Sequence, residues 1–489
     1  MTALLFMPGP DPIIAGQPLS WWEANHELPL HIYHAGVIRR NLRAFKQVFE
    51  QRYPKGRICF AAKACPHGPI LKIAREEGCG ADVASYNEAR CALEAGIPAE
   101  LLDLNGSCKE DFLLRDAIRR GMNIIADCIE EVELLDAIAR ELGQPARVML
   151  RISGYVLGQV TDDSIFTAGR WTKFGAPLDA VPEFIDTLSR YPWIRLVGFH
   201  THIGSQITTL EPYRSVLAKL IEMGHRLNQS GGLCEVINIG GGFPVRYIDK
   251  SAWDVFRERI RQGYEAVRRG DHSQSYVWHD GAGGYASETG DAVNLDHWLG
   301  ERFYTDLPKE AMLDALLQSD LPVAGSQVPA VHALRQLGKP LLAIEPGRSI
   351  MEDSGVTLAR VGMVKTVARH HHLVNLEMGV TSHGESLIEK PIKRWTIATD
   401  SMRHAAEPFE TFIGGNLCFS GDMLSKYKVS LQRKPRRGEV ILIHDTGAYS
   451  SSLFAAASNA YPRPARILVH ETGATEVMKR RDNYADIVG

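Results

Sequence analysis

The chain of 489 residues is 45% hydrophobic and 23% charged, an ordinary folded composition with apolar material for a large core and, on length, two domains of unequal size. A net charge of −3 without any run of lysine and arginine excludes a general nucleic-acid binder and leaves small molecules as the expected ligands. No apolar stretch is long enough to cross a membrane, the opening MTALLFMPGPDP lacks the basic region of a secretory signal, and eight scattered cysteines with no CxxC pair fit a reducing cytoplasm.

In chain order, residues 28–34 (LPLHIYH) read as a strand, and Ile38, Leu42, Phe45 and Phe49 then recur at helical spacing. From there one unit repeats: an apolar run, a turn, an amphipathic helix. The runs are 57–62, 79–84, 101–104, 123–126, 147–152, 195–200, 234–239 and 340–344, with helical patterns such as 129–142 and 180–188 between them. Alternation of this kind implies a parallel sheet, and eight units are the number that closes a (β/α)8 barrel; an open doubly wound sheet is the alternative.

Residues 267–327 separate the seventh and eighth runs by more than a loop requires, so an insert is expected there, with helical pieces around 298–303 and 309–317. Beyond Arg348 the alternation gives way to short β-like runs at 356–367, 395–399, 409–413, 440–444 and 465–470, bounded by Gly, Pro and Asn. The expected fold class is α/β: a TIM-type (β/α)8 barrel over 36–350 and a mainly-β barrel or sandwich domain over 351–489, which residues 1–35 join through their strand.

The strand ends carry the chemistry. An apolar run from Ile58 to Ala62 delivers Lys63 to the end of the first strand, where desolvation lowers an ammonium pKa and frees the amine as a nucleophile. A lysine that snorkels or pairs with an acid is the plainer alternative. Later strands end in Asp82, Arg151, the segment GFHTHIGSQ with His202 and Ser205, the triplet Gly240, Gly241 and Gly242, and the segment EPGR with Glu345, Gly347 and Arg348.

Successive glycines after a strand let backbone N–H groups close around an anion, and an arginine on the neighbouring loop suits a phosphate. A tight turn needing positive φ is the plainer account of the triplet. An aldehyde-reactive lysine, a phosphate cradle and a carboxylate describe pyridoxal phosphate, with Lys63 forming the Schiff base and Glu345 keeping the pyridine nitrogen protonated. The rival is a metal hydrolase built on His200 and His202, two residues apart and so on one face; further ligands are hard to find, and no metal is expected.

In order along the chain, FAAKAC, DVASYNE, KFG at Lys173, GFHTHIGSQ, NIGGGFP, EPGR, CFSGD at Cys418 and DTGAY ending at Tyr449 resemble the motifs of the pyridoxal-phosphate-dependent decarboxylases of the alanine-racemase-like fold. That group holds diaminopimelate, ornithine and arginine decarboxylases, and the chain is most similar to the diaminopimelate branch. The resemblance implies that Lys63 holds the cofactor, His202 stacks on its ring, Ser205, Gly240 to Gly242, Arg348 and Tyr449 hold the phosphate, and Glu345 meets the ring nitrogen. It also implies a head-to-tail homodimer in which the partner contributes Cys418, as proton donor, and Asp422. Read alone, a single cysteine in a β domain is most often a packed core residue.

Where diaminopimelate decarboxylases carry a glutamate after that cysteine, this chain has Phe419; where they show Arg-Pro and a tyrosine, it has Lys390, Pro391 and Arg394. An aromatic ring cannot pair a distal ammonium. The expected activity is release of CO2 from a diaminopimelate-like or basic amino acid of the D-ornithine or D-lysine type. A larger condensed or carrier-linked substrate and diaminopimelate itself remain alternatives, as does a non-catalytic binding protein of the same fold.

Overall fold

The computed structural model describes residues 5–155, 167–278, 303–323, 325–388, 391–450, 452–453 and 458–489, with the side chains of 387 and 388 left aside. Contacts divide the chain into two units, one of residues 39–245 and 305–350, the other of residues 1–38, 246–304 and 351–489.

The first unit is a closed barrel. Its strands are β1 (Gly56–Ala61), β2 (Gly80–Val83), β3 (Leu102–Leu104), β4 (Asn123–Ala126), β5 (Ala146–Ser153), β6 (Ile194–His200), β7 (Val236–Asn238) and β8 (Leu341–Ile344). Each pairs in parallel with its neighbours, β8 with β1 among them, so eight strands close on themselves and no edge is left. Every sequence run corresponds to one of these strands. The open sheet is thereby excluded.

Helices wrap the barrel where apolar residues recur at helical spacing. Ile129–Leu142 buries Val132, Leu135, Ile138 and Ala139 on one face and ends at Gly143, whose φ of +64° closes the helix. Glu310–Gln318 answers the helical pattern expected at 309–317, and the hairpin Asp320–Val323 with Ser326–Pro329 follows it. Most of the piece expected at 298–303 lies outside the described residues.

The second unit is mainly β. Strand Leu30–His34 pairs antiparallel with Gly355–Val367 and parallel with Ala465–Val469, which places the amino-terminal strand inside the carboxy-terminal sheet. Its core gathers Leu30, Ile32, Val356, Leu358, Leu442 and Ile467. Among the described residues six of its strands lack a sequence signal: His371–Leu376, Met423–Leu431, Thr475–Lys479 and the small sheet of Phe6–Met7, Ile13–Ile14 and Gln17–Pro18. The first follows a turn through Ala368 and Arg369, both at positive φ (46° and 64°), where glycine or asparagine would normally announce a hairpin. Residues 246–304 group with this unit and contribute helix Lys250–Arg268, capped by Asp249.

Candidate active site

The carboxyl ends of the barrel strands carry the polar groups. Lys63 sits in a single 3-10 turn, Ala62–Ala64, just past β1. Its side chain is 41% exposed, with Asp82 Oδ2 at 3.8 Å. The expected desolvated amine is therefore not what the fold builds: opposite charge, rather than burial, surrounds this lysine.

Glu345, just past β8, is buried. Asn238 Nδ2 donates to its Oε1 at 2.8 Å, and His200 Nε2 lies 3.1 Å from the same oxygen. Burial pushes the Glu345 carboxyl up to about 7, with the charge of Lys63 opposing and that of Asp103 reinforcing the rise. Asp82 is likewise pushed up to about 7, by burial first and then by the charge of Glu345. His200 is pulled down to about 3 by burial and by Arg151, so it faces Glu345 as a neutral ring.

The glycine triplet has a more divided role than its spacing suggests. The Gly240 N–H donates to Asn238 Oδ1 and the Gly241 N–H to His202 Nδ1, each at 2.9 Å. Only the Gly242 N–H has no partner among the described residues. All three glycines are needed for space: a Cβ on Gly241 would overlap the Glu345 carbonyl oxygen, one on Gly240 the Thr201 carbonyl oxygen, and one on Gly242 the Gly204 carbonyl oxygen. Gly241→Ala is expected to lower stability by roughly 1–3 kcal/mol, the cost of overpacking against backbone, read from the urea midpoint; an unchanged midpoint would show that the loop yields freely.

Arg348, buried at the start of a short turn, reaches Ser205 Oγ through Nη2 at 3.0 Å and Nε at 3.2 Å. Arg151 is buried over the ring of Phe174, 4.3 Å from its centroid, with Asp127 Oδ1 at 3.8 Å and Asn105 Oδ1 at 3.3 Å. His200 and His202 do not act as a pair. One faces Glu345, the other accepts from Gly241, and among the described residues no three His, Cys, Asp or Glu side chains gather as metal ligands.

The remaining expected residues lie in the second unit. Cys418 is exposed rather than packed, its N–H donating to Asn459 Oδ1 at 2.9 Å. Phe419 is 45% exposed. Asp422 is buried and uses both carboxylate oxygens within its own neighbourhood, accepting from the N–H groups of Val380 and Leu417 at 2.6 Å each, so it holds the loop that carries Cys418 and Phe419 and has little left for a substrate. Arg394 pairs with Asp445 Oδ2 at 2.8 Å. Tyr449 is half-buried at φ +58°, and Lys390 lies outside the described residues.

Asn238, Asp103 and Asn105 were not singled out by sequence. The available signal was polar residues inside apolar strand runs, LLDLN and VINIGGG, which a buried strand tolerates only when they are hydrogen-bonded.

The donor set fits pyridoxal phosphate. A part-exposed lysine at a strand end, a buried carboxyl able to ionise beside a cation, and an anion seat of one N–H and an arginine held by a serine are what its aldehyde, ring nitrogen and phosphate require. Comparison with known proteins points the same way. Residues 35–277 match the model of the pyridoxal-binding domain of pyridoxal-dependent decarboxylases.

The chain is 27% identical over 479 residues to the diaminopimelate decarboxylase of Bacillus subtilis, covering 97% of this chain and 94% of that protein. It is 26% identical to the Aquifex aeolicus protein of the same name, over 94% and 90%. The fold is that of the M. jannaschii diaminopimelate decarboxylase solved with L-lysine (TM-score 0.77, 22% identity, 99% and 97% covered). It is shared by a Vibrio vulnificus lysine/ornithine decarboxylase solved with putrescine (TM-score 0.65, 19% identity, 92% and 96% covered). On the matched domain, the fold and the site together, the chain belongs to the pyridoxal-dependent decarboxylases, carboxy-lyases that use pyridoxal phosphate to release CO2 from amino acids.

Proposed function

We propose that the chain decarboxylates a basic amino acid of the D-ornithine or D-lysine type, and that Lys63, Asp82, Glu345 and Arg348 at one end of the barrel form the reaction centre. The observation that carries this reading is the buried Glu345 carboxyl, held by Asn238 and His200 and close enough to Lys63 to feel its charge. Bound pyridoxal phosphate supplies the sink for the electron pair left when the carboxylate departs. Lys63 anchors the cofactor through its amine, and Glu345 holds a proton at the ring nitrogen. His202, Asp82 and Arg151 would hold the ring of the bound group, and Ser205, the Gly242 N–H, Gly347, Arg348 and Tyr449 would hold its phosphate.

Cys418 returns a proton to the carbon that has lost CO2. Its exposure supports a head-to-tail homodimer in which each copy lends this residue to the other's site. No disulfide joins any of the eight cysteines, which supports a cytoplasmic setting.

Phe419 carries the substrate preference. In place of a glutamate it offers no partner for a distal ammonium, and an unpaired buried charge costs about 3–5 kcal/mol. Diaminopimelate is the second reading, favoured by the names of the Bacillus subtilis and Aquifex aeolicus relatives and by their nearly full-length match. With pyridoxal phosphate and a panel of meso-diaminopimelate and D- and L-lysine, ornithine and arginine, CO2 release is expected from a D-basic amino acid. Release from diaminopimelate alone would replace the first reading by the second.

A further inference from the structure

The barrel interior contains a hydrogen-bonded line that ends at Glu345. Asn238 on β7 donates from Nδ2 to Glu345 Oε1 at 2.8 Å and to Asp103 Oδ2 at 3.2 Å, and accepts at Oδ1 from the Gly240 N–H at 2.9 Å. Asp103 lies on β3, four strands away in a ring of eight, so the second bond crosses the barrel axis. Asp103 is itself held by Arg57 Nη2 at 2.8 Å, by Asn123 Nδ2 at 3.0 Å and by Cys59 Sγ at 3.3 Å. Asn238 and Asp103 are fully buried.

The three bonds of Asn238 fix its amide orientation. Turned over, it would aim its oxygen at two carboxylates and its NH2 at an N–H group. We infer that Asn238 is a positioning residue, which holds the Glu345 carboxylate and the first turn of the glycine triplet in one arrangement so that the two ends of the cofactor site are set together. This rests on the cofactor-binding reading above and adds to it a reason for an amide at this position. Aspartate would have the same shape but would place a third carboxylate between Asp103 and Glu345. Leucine would leave the Gly240 N–H without its partner and Glu345 Oε1 with His200 alone.

A double-mutant cycle of Asn238→Ala and Glu345→Gln, read as the dissociation constant of pyridoxal phosphate from the purified full chain, tests the assignment. Asn238→Ala is expected to weaken binding at least tenfold when Glu345 is present, and less than threefold when residue 345 is already glutamine. Equal losses in the two backgrounds would overturn it.

If Asn238→Ala does not fold, Asn238→Asp takes its place. The charged and titratable groups around Glu345 are Lys63 and Cys59 beside β1, Asp82 on β2, Asp103 on β3, Arg151 on β5 and His200 on β6. In that surrounding an added carboxyl is tolerated protonated, so the loss of affinity should grow at least threefold from pH 6 to pH 8; a pH-independent loss would overturn the assignment. Wild-type chain that binds no pyridoxal phosphate, with or without these substitutions, would instead sink the cofactor reading on which the assignment rests.

Discussion

Replacement of Lys63 by alanine is expected to abolish attachment of pyridoxal phosphate that borohydride can fix, and to lower CO2 release by roughly four orders of magnitude or more, the scale of deleting a group that bonds to the reacting centre. Lys63 stands at the end of a barrel strand with a buried acid, Asp82, 3.8 Å from its ammonium. Other lysines sit in different settings: Lys109 is committed to Glu131, and Lys393 to Glu352 in the second unit. The measurement is absorbance of the holoprotein together with mass spectrometry of the reduced adduct. An adduct that persists on Lys63→Ala would place the attachment elsewhere.

Glu345→Gln keeps the shape of the side chain and removes its charge. The cofactor should stay bound while decarboxylation slows a hundredfold to a thousandfold, roughly 3–4 kcal/mol for one preorganised electrostatic contact. An unchanged rate would remove Glu345 from the electron sink. The same variant has a second readout in the cofactor-free protein.

Burial raises this carboxyl from an ordinary 4.5 to about 7, so between those two values the folded chain holds a proton that the unfolded chain has released. Stability therefore falls as pH rises through that window, by roughly 3 kcal/mol in all for this group, and changes little on its account above it. Asp82, raised from 3.8 to about 7, adds a slope of the same sign. Glu345→Gln should flatten the decline measured by chemical denaturation at pH 5, 6, 7 and 8. A decline as steep as that of the wild type would assign the proton to Asp82 alone.

The barrel was legible because its strands are continuous apolar runs separated by amphipathic helices, a pattern whose two periods cannot be confused over eight repeats. Lys63, Glu345 and Arg348 could be placed at strand ends because each follows such a run closely, and the structure puts them just past β1 and β8. The second unit was read less well. Met423–Leu431 alternates buried and part-exposed residues but mixes lysines and serines among them, and His371–Leu376 follows a turn without glycine.

Around these strand ends, sequence missed hydrogen-bond partners as well as the residues Asn238, Asp103 and Asn105. Nothing in the spacing of Gly240, Gly241 and Gly242 says that two of their N–H groups are already taken by Asn238 and His202. Nor does spacing reveal that Asp103 and Asn238 meet across the barrel axis, because residues 135 positions apart are brought together only by closure of the ring.

The buried carboxylate of Asp422 has one more consequence. With both oxygens holding the loop around Leu417, it separates the folding of that loop from the identity of the residues at its tip. Cys418 and Phe419 are exposed and make little of the core, so exchange of a charged for an aromatic residue at 419 costs the fold almost nothing. A scaffold arranged in this way is evolvable: substitutions can accumulate at a tip whose anchor stays the same, without passing through unstable intermediates.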